Sequence, residues 1–137
     1  LNLKNCLLSI FGYRLHFLDD KILVHNGVWR EIEDLPLVGE QIQWHDIRLK
    51  KLNQHVYVEF LMWSAPQGEA KVQNLIWYVY QLNESQMHKV SEQVVQRRNP
   101  NFGEGGPTYF FDNMISHGIK SKNGKTYLSY KGKDKQL

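Results

Sequence analysis

The sequence predicts a single α+β domain, in which a mainly antiparallel and strongly curved sheet, or a partial barrel, carries one long helix. Several segments alternate apolar and polar residues with a period of two, which is typical of strands, whereas residues 84–98 have helical spacing. The chain contains no internal repeat, so a solenoid is excluded. Its 137 residues suit one hydrophobic core, and we treat residues 1–137 as one domain.

The first element is a hairpin over residues 14–25. Apolar residues alternate with polar ones on both sides of Asp19-Asp20, and a two-residue loop there would bring four of them to one face: Leu15, Phe17, Ile22 and Val24. The opposite face then carries three basic side chains, Arg14, His16 and His25. These could bind an anion, a phosphate or a partner carboxylate, although a solvated face is the interpretation that we favour.

Three strands follow as a meander, near residues 41–52, 55–63 and 72–82. In the first strand the apolar residues change phase at His45-Asp46, which a β-bulge would explain. The other two strands are apolar on both faces. We therefore expect them to be central, either covered on both sides or curled into a barrel.

The helix is predicted over residues 84–98. Asn83 is a favourable N-cap, Gln86 occupies the reciprocal capping-box position, and Asn99-Pro100 would end the helix. Three apolar residues recur at helical spacing and would pack on the sheet: Met87, Val90 and Val94.

A loop, an apolar segment and a hairpin complete the chain. Residues 101–107 are rich in Gly, and we predict a flexible loop there. A phosphate-binding loop is disfavoured, because the Lys-Ser/Thr pair of such loops is absent. The apolar segment 109–115 is compatible with either a strand or a helix. Asn123-Gly124 is a strong turn signal and predicts a C-terminal β-hairpin within a Lys-rich tail, residues 120–137.

The positive charge is concentrated in that tail. The formal net charge is +3, but up to Ile119 there are thirteen Asp and Glu against eleven Lys and Arg, whereas the tail has six Lys against Asp134. Lys residues interleaved with Tyr127 and Tyr130 could contact phosphates and stack on bases, which makes nucleic acid an alternative partner. Lys on an exposed edge also prevents aggregation between sheet edges, and we favour this interpretation.

Composition and spacing exclude several kinds of site. Cys6 is the only cysteine, so neither an intramolecular disulfide nor a Cys-rich metal site can form. The six histidines lack any metal-ligand spacing, and we expect no metal and no cofactor. Arg14 and His16 interrupt the longest apolar stretch, so we expect no membrane span. The single cysteine and the lack of a visible signal peptide favour a cytoplasmic location.

The leading functional hypothesis is a non-enzymatic binding module. An aromatic-rich sheet face or pocket would take a small apolar ligand or a protein segment, because the two-sided strands carry more Trp and Tyr than one helix can cover. The same surplus would serve as core, or as a homodimer interface, if a second layer covered that face. The candidate ligand-binding residues are Tyr57, Glu59, Trp63, Trp77, Tyr78 and Tyr80.

The alternative from another class is a small hydrolase or isomerase. Its pocket would hold Glu59 or Asp46 beside a histidine, because desolvating a carboxylate on a central strand is one way in which proteins make a general acid. Glu59 could instead form a structural ion pair with Arg48 or Lys50 on the neighbouring strand, which we favour. No motif identifies a catalytic residue, so an enzyme is the less favoured prediction.

Overall fold

The computed structural model describes residues 6–32, 35, 43–83, 87–103, 105–106 and 108–137. Within these residues the chain forms strands and no helix. In chain order the strands are β1 (Cys6–Ile10), β2 (Tyr13–Phe17), β3 (Ile22–His25), β4 (Trp29–Glu31), β5 (Trp44–Leu52), β6 (His55–Trp63), β7 (Gln73–Leu82), β8 (Met87–Asn101), β9 (Thr108–Phe111), β10 (His117–Lys122), β11 (Lys125–Tyr130) and β12 (Lys133–Gln136).

The strands form three antiparallel sheets, each a simple meander. The first sheet is β1-β2-β3-β4, the central sheet is β5-β6-β7-β8-β9, and the third sheet is β10-β11-β12. One of the three sheets is curled into a half-barrel. The described residues contain no helix of the length and apolarity needed to cross a membrane.

Two hydrophobic cores lie on opposite faces of the central sheet, because side chains alternate between the faces of a strand. On one face Val58 and Phe60 of β6 pack with the first sheet, which contributes Leu15 and Phe17 among others. On the other face Trp77 of β7 packs with side chains of the third sheet, Ile119 and Leu128. The expectation that β6 and β7 are central strands covered on both sides is confirmed.

Local patterns located several elements correctly. In the first hairpin Leu15 pairs with Val24 and Phe17 with Ile22, and all four side chains are buried as predicted. The β5–β6 register shifts between Trp44 and Asp46, where the bulge was expected. Asn123-Gly124 joins β10 to β11, and both residues have positive φ, which a type I′ turn requires.

The predicted helix over residues 84–98 is wrong, and with it the α+β class. Residues Met87–Asn101 form β8, which pairs with β7 and, at its C-terminal end, with β9. Val94, assigned to the buried stripe of the helix, is 40% exposed, whereas Val95 is fully buried. The predicted capping residue Gln86 and residues 84–85 lie outside the described residues.

The reason for this difference lies in β7. A strand with two apolar faces needs a hydrogen-bonding partner on each edge, because its backbone groups have no access to water. β6 covers one edge and β8 covers the other. Register shifts in the β7–β8 ladder, between Leu75 and Ile76 and between Val79 and Tyr80, interrupt strict alternation. The apolar spacing along β8 therefore resembles that of a helix.

The C-terminal segments also add strands to the edges of existing sheets. The undecided segment 109–115 contains most of β9 and then continues without regular structure. The tail forms one strand more than the predicted hairpin, because Lys131 and Gly132 adopt positive φ and turn the chain into β12.

Candidate functional site

The six predicted ligand-binding residues do not share one surface. Tyr78 and Tyr80 belong to the core facing the first sheet. Tyr57, Trp63 and Trp77 belong to the core facing the third sheet. All five aromatic side chains are buried, so the aromatic surplus serves mainly as core. This is the outcome anticipated for a face covered by a second layer.

Glu59 and Trp77 line a small cavity between the central and third sheets, which we call the Glu59 cavity. Its volume is about 40 Å³, enough for a few water molecules. Charged and ionisable side chains from both sheets surround it: Asp46, Arg48, Lys50, Glu59 and His117.

The Glu59 carboxylate is held by two groups. The indole Nε1 of Trp77 donates to Oε1 at 3.1 Å, and Lys50 Nζ lies 3.0 Å from Oε2. Lys50 forms an ion pair with Oε2, and this buried oxygen has no hydrogen-bond donor among the residues that the structure describes. The favoured interpretation, a structural ion pair with Lys50, is confirmed, whereas Arg48 pairs with Asp46 at 3.2 Å.

His117 brings an imidazole to the same cavity. Its ring centroid lies 5.1 Å from that of Trp77, and its Nδ1 lies 2.8 Å from the carbonyl oxygen of Ile115. A carbonyl oxygen can only accept, so we assign the proton of the neutral ring to Nδ1, which leaves Nε2 as an acceptor. In the described part of the chain no cluster of three or more His, Cys, Asp or Glu is arranged to hold a metal ion.

Tyr57 lines a larger open groove of about 330 Å³ at the end of β6. Four of its polar side chains pair with one another: Gln81 Nε2 lies 3.1 Å from His55 Nδ1, and Asn53 Nδ2 donates to Thr126 Oγ1 at 2.8 Å. Lys125 and Gln136 also line the groove.

Trp63 belongs to a third arrangement, the Arg98 stack, which consists of Trp63, Arg98 and Tyr109. The Arg98 guanidinium carbon lies 3.9 Å from the Trp63 ring centroid and 4.1 Å from that of Tyr109. Arg98 Nε donates to Gln73 Oε1 at 3.0 Å, and Gln73 Nε2 donates to the Ser64 carbonyl at 2.8 Å. Burial lowers the pKa of Arg98, and Tyr109 opposes this shift.

Next to this stack is the β9 edge, Thr108–Phe111. In the described part of the chain β9 pairs with β8 and with no second strand. Its aromatic side chains are exposed: Tyr109 40%, Phe110 65% and Phe111 55%. Sequence analysis missed this surface, although three consecutive aromatics after a Gly-rich loop were a visible signal. Nothing in the sequence connected Arg98 with Trp63.

The predicted anion-binding residues lie on the outer face of the first sheet. Arg14 Nη2 lies 3.3 Å from His25 Nδ1, and the two are cross-strand partners. Trp29 joins them, with its ring centroid 4.9 Å from that of His25. His16 is two residues along β2 from Arg14, on the same face. Anion binding at these residues stays a prediction.

The Lys-rich hairpin is partly engaged within the molecule. Lys120 Nζ lies 2.9 Å from Asp134 Oδ2 and holds the pKa of Asp134 below its usual range. The Tyr130 hydroxyl donates to the Val94 carbonyl at 2.6 Å. Binding of nucleic acid by this hairpin stays a prediction.

Comparison with known proteins gave no relative: no family model, no curated protein and no solved structure matches this chain.

Proposed function

We propose that this protein is a non-enzymatic interaction module that binds an extended segment of another protein along the β9 edge. The exposed row Tyr109-Phe110-Phe111 carries the proposal, because it lies on a strand whose second edge pairs with no strand in the described ranges. Edge strands usually bear charges or proline that prevent pairing with other chains. β9 bears no charge and presents aromatics, which is the composition of a recognition surface.

The other edge strand of the central sheet supports this interpretation by contrast. β5 carries charged residues at Asp46, Arg48, Lys50 and Lys51, and such charges disfavour pairing with another chain. An added strand at β9 would gain backbone hydrogen bonds, while its alternate side chains would meet Tyr109 and Phe111 on one face and Phe110 on the other.

A random octapeptide display library is the probe for this proposal. We expect peptides to be enriched on the wild-type protein and lost on Phe110→Lys, because a charge on the edge opposes strand addition. Phe102→Lys is the matched control, since Phe102 is also exposed but lies in the loop before β9. Peptide enrichment that is the same on Phe110→Lys and wild type would contradict the proposal.

Self-association is the other outcome to be separated. Sedimentation velocity over a range of concentrations measures it directly. A dimer that forms in the wild type and is lost in Phe110→Lys, together with no enriched peptide, would replace the partner protein by a second copy of this chain and overturn the proposal.

A second candidate function, a small hydrolase or isomerase, is favoured by one observation: Glu59, Asp46 and His117 line the same cavity. An acceptor at Nε2 of His117 is what a general base requires. The test is hydrolysis of p-nitrophenyl acetate. The candidate requires that His117→Gln reduce the rate by about 100-fold or more, and a rate equal to that of wild type would remove it.

A further inference from the structure

Arg97 has an acidic partner, whereas Arg98 has none among the residues that the structure describes. Arg97 Nε lies 3.0 Å from Asp112 Oδ2, and both side chains are largely exposed. Arg98 is less exposed than Arg97, and no carboxylate among the described residues forms an ion pair with it. A partly desolvated cation without a counter-ion is unfavourable, which suggests that the missing anion comes from a ligand.

The orientation of this guanidinium is already determined. The rings of Trp63 and Tyr109 both pack against it, and Gln73 accepts the hydrogen bond from Nε. Both terminal Nη groups remain without a hydrogen bond to any described residue. Because the plane of the group is held before binding, little side-chain entropy remains to be lost when an anion binds.

The chemistry of the surroundings favours one carboxylate over a phosphate. Phe111 is the cross-strand partner of Arg98, so the anion would lie beside an apolar surface. The adjacent cation, Arg97, is already paired with Asp112, so Arg98 offers a single guanidinium, which suits a monoanion. The two Nη groups of one planar guanidinium can donate two parallel hydrogen bonds to one carboxylate.

We propose that Arg98 selects the partner of the β9 edge by binding an Asp or Glu side chain of the docked segment, with apolar residues of that segment packed on Tyr109 and Phe111. The inference rests on the proposed function, since it defines the chemistry of the same partner. Arg98 is the specificity-determining residue, and the β9 edge supplies the remaining contacts.

The test compares peptides selected from the octapeptide library on wild type, Arg98→Gln and Arg97→Gln. We expect an acidic residue at a constant position in peptides selected on wild type and on Arg97→Gln, and no such preference on Arg98→Gln. For a selected peptide, replacing the acidic residue by its amide should weaken binding to the wild type by about tenfold or more.

The outcomes separate the two proposals. Peptides that depend on Phe110 but show no acidic preference overturn the role of Arg98 and leave the β9 docking surface standing. If no selected peptide depends on Phe110 for binding, both the docking surface and the role of Arg98 are overturned.

Further variants and peptides identify the class of anion and control for a folding defect. Arg98→Lys retains the charge but not the fork, so full affinity in that variant would overturn bidentate binding. A phosphoserine in place of the acidic residue should bind more weakly, and tighter binding would overturn the choice of carboxylate. If Arg98→Gln does not fold, the role of Arg98 is tested by comparing the acidic peptide with its amide form on the wild-type protein, because only the peptide is then changed.

Discussion

At the scale of single residues, the structure shows how this chain keeps polar groups inside an apolar sheet. Glu59 is 6% exposed on a strand flanked by buried aromatics, and it is retained there because Trp77 and Lys50 both contact its carboxylate. Tyr78 lies on the other face, where its hydroxyl interacts with Glu92. Each group is stable only while its partner and its protonation state persist.

Replacing only one partner of the Glu59–Lys50 pair should lower the free energy of unfolding more than replacing both partners. Glu59→Leu leaves Lys50 without its counter-ion and Trp77 Nε1 without its acceptor, and we expect a loss of about 1–3 kcal/mol, since Lys50 still reaches water. Adding Lys50→Met should restore about half of the loss, because an apolar pair of similar size avoids the buried charge. Urea unfolding of the single and double variants measures this, and an additive loss would disprove the coupling.

Stability above about pH 10 should depend on Tyr78. Burial, followed by Glu92, raises the pKa of Tyr78 in the native state, whereas the unfolded chain ionises this phenol near its ordinary pKa. The contribution of Tyr78 is therefore complete below the unfolded pKa and is lost as the pH rises above it. Urea unfolding at about pH 9 and about pH 11 should show a smaller decline in Tyr78→Phe than in wild type. Equal declines would mean that Tyr78 ionises normally.

At the scale of elements, β8 shows why the same residues could be assigned to two structures. Met87, Val90 and Val94 fit a helical stripe, but β-branched residues also suit strands, and intrinsic preference is weak compared with the need of β7 for a second partner. Pro100 was read as a helix stop, yet it lies in β8 opposite Tyr109. The bulges allow β8 to follow the curvature of β7 while its apolar pattern changes phase.

Two neighbouring substitutions distinguish the strand from the helix. Val95→Asp should cost at least about 3 kcal/mol, because Val95 is fully buried against the third sheet and the charge would have no partner. Val94→Asp should cost less than about 1 kcal/mol, since Val94 is exposed. Thermal unfolding measures both. A larger loss for Val94→Asp than for Val95→Asp would favour the helical pattern.

At the scale of the whole molecule, the central sheet separates two cores that share no side chain. The first sheet covers one face of the central sheet and the third sheet covers the other. Two small sheets therefore bury the apolar surface that a single helix could not cover. The β9 edge lies outside this cover, with Tyr109, Phe110 and Phe111 exposed.

Truncations in the two cores should therefore be additive. Leu15→Ala and Leu128→Ala should each cost about 2–4 kcal/mol from lost burial and the cavity that remains. In the double variant the losses should sum to within about 0.5 kcal/mol, because the sites are not in contact. Urea unfolding with a constant denaturant slope measures this, and strong coupling would show that the cores are not independent.

The amino-acid sequence by itself determined what depends on neighbours along the chain. The first hairpin, the strands β6 and β7, the bulge beside His45 and the turn at Asn123-Gly124 follow from local alternation and local backbone preference. Tertiary structure alone decided β8, since its strand form results from pairing with β7. It also decided the Arg98 stack, because Trp63, Arg98 and Tyr109 lie on three different strands and only the order of the sheet brings their side chains together.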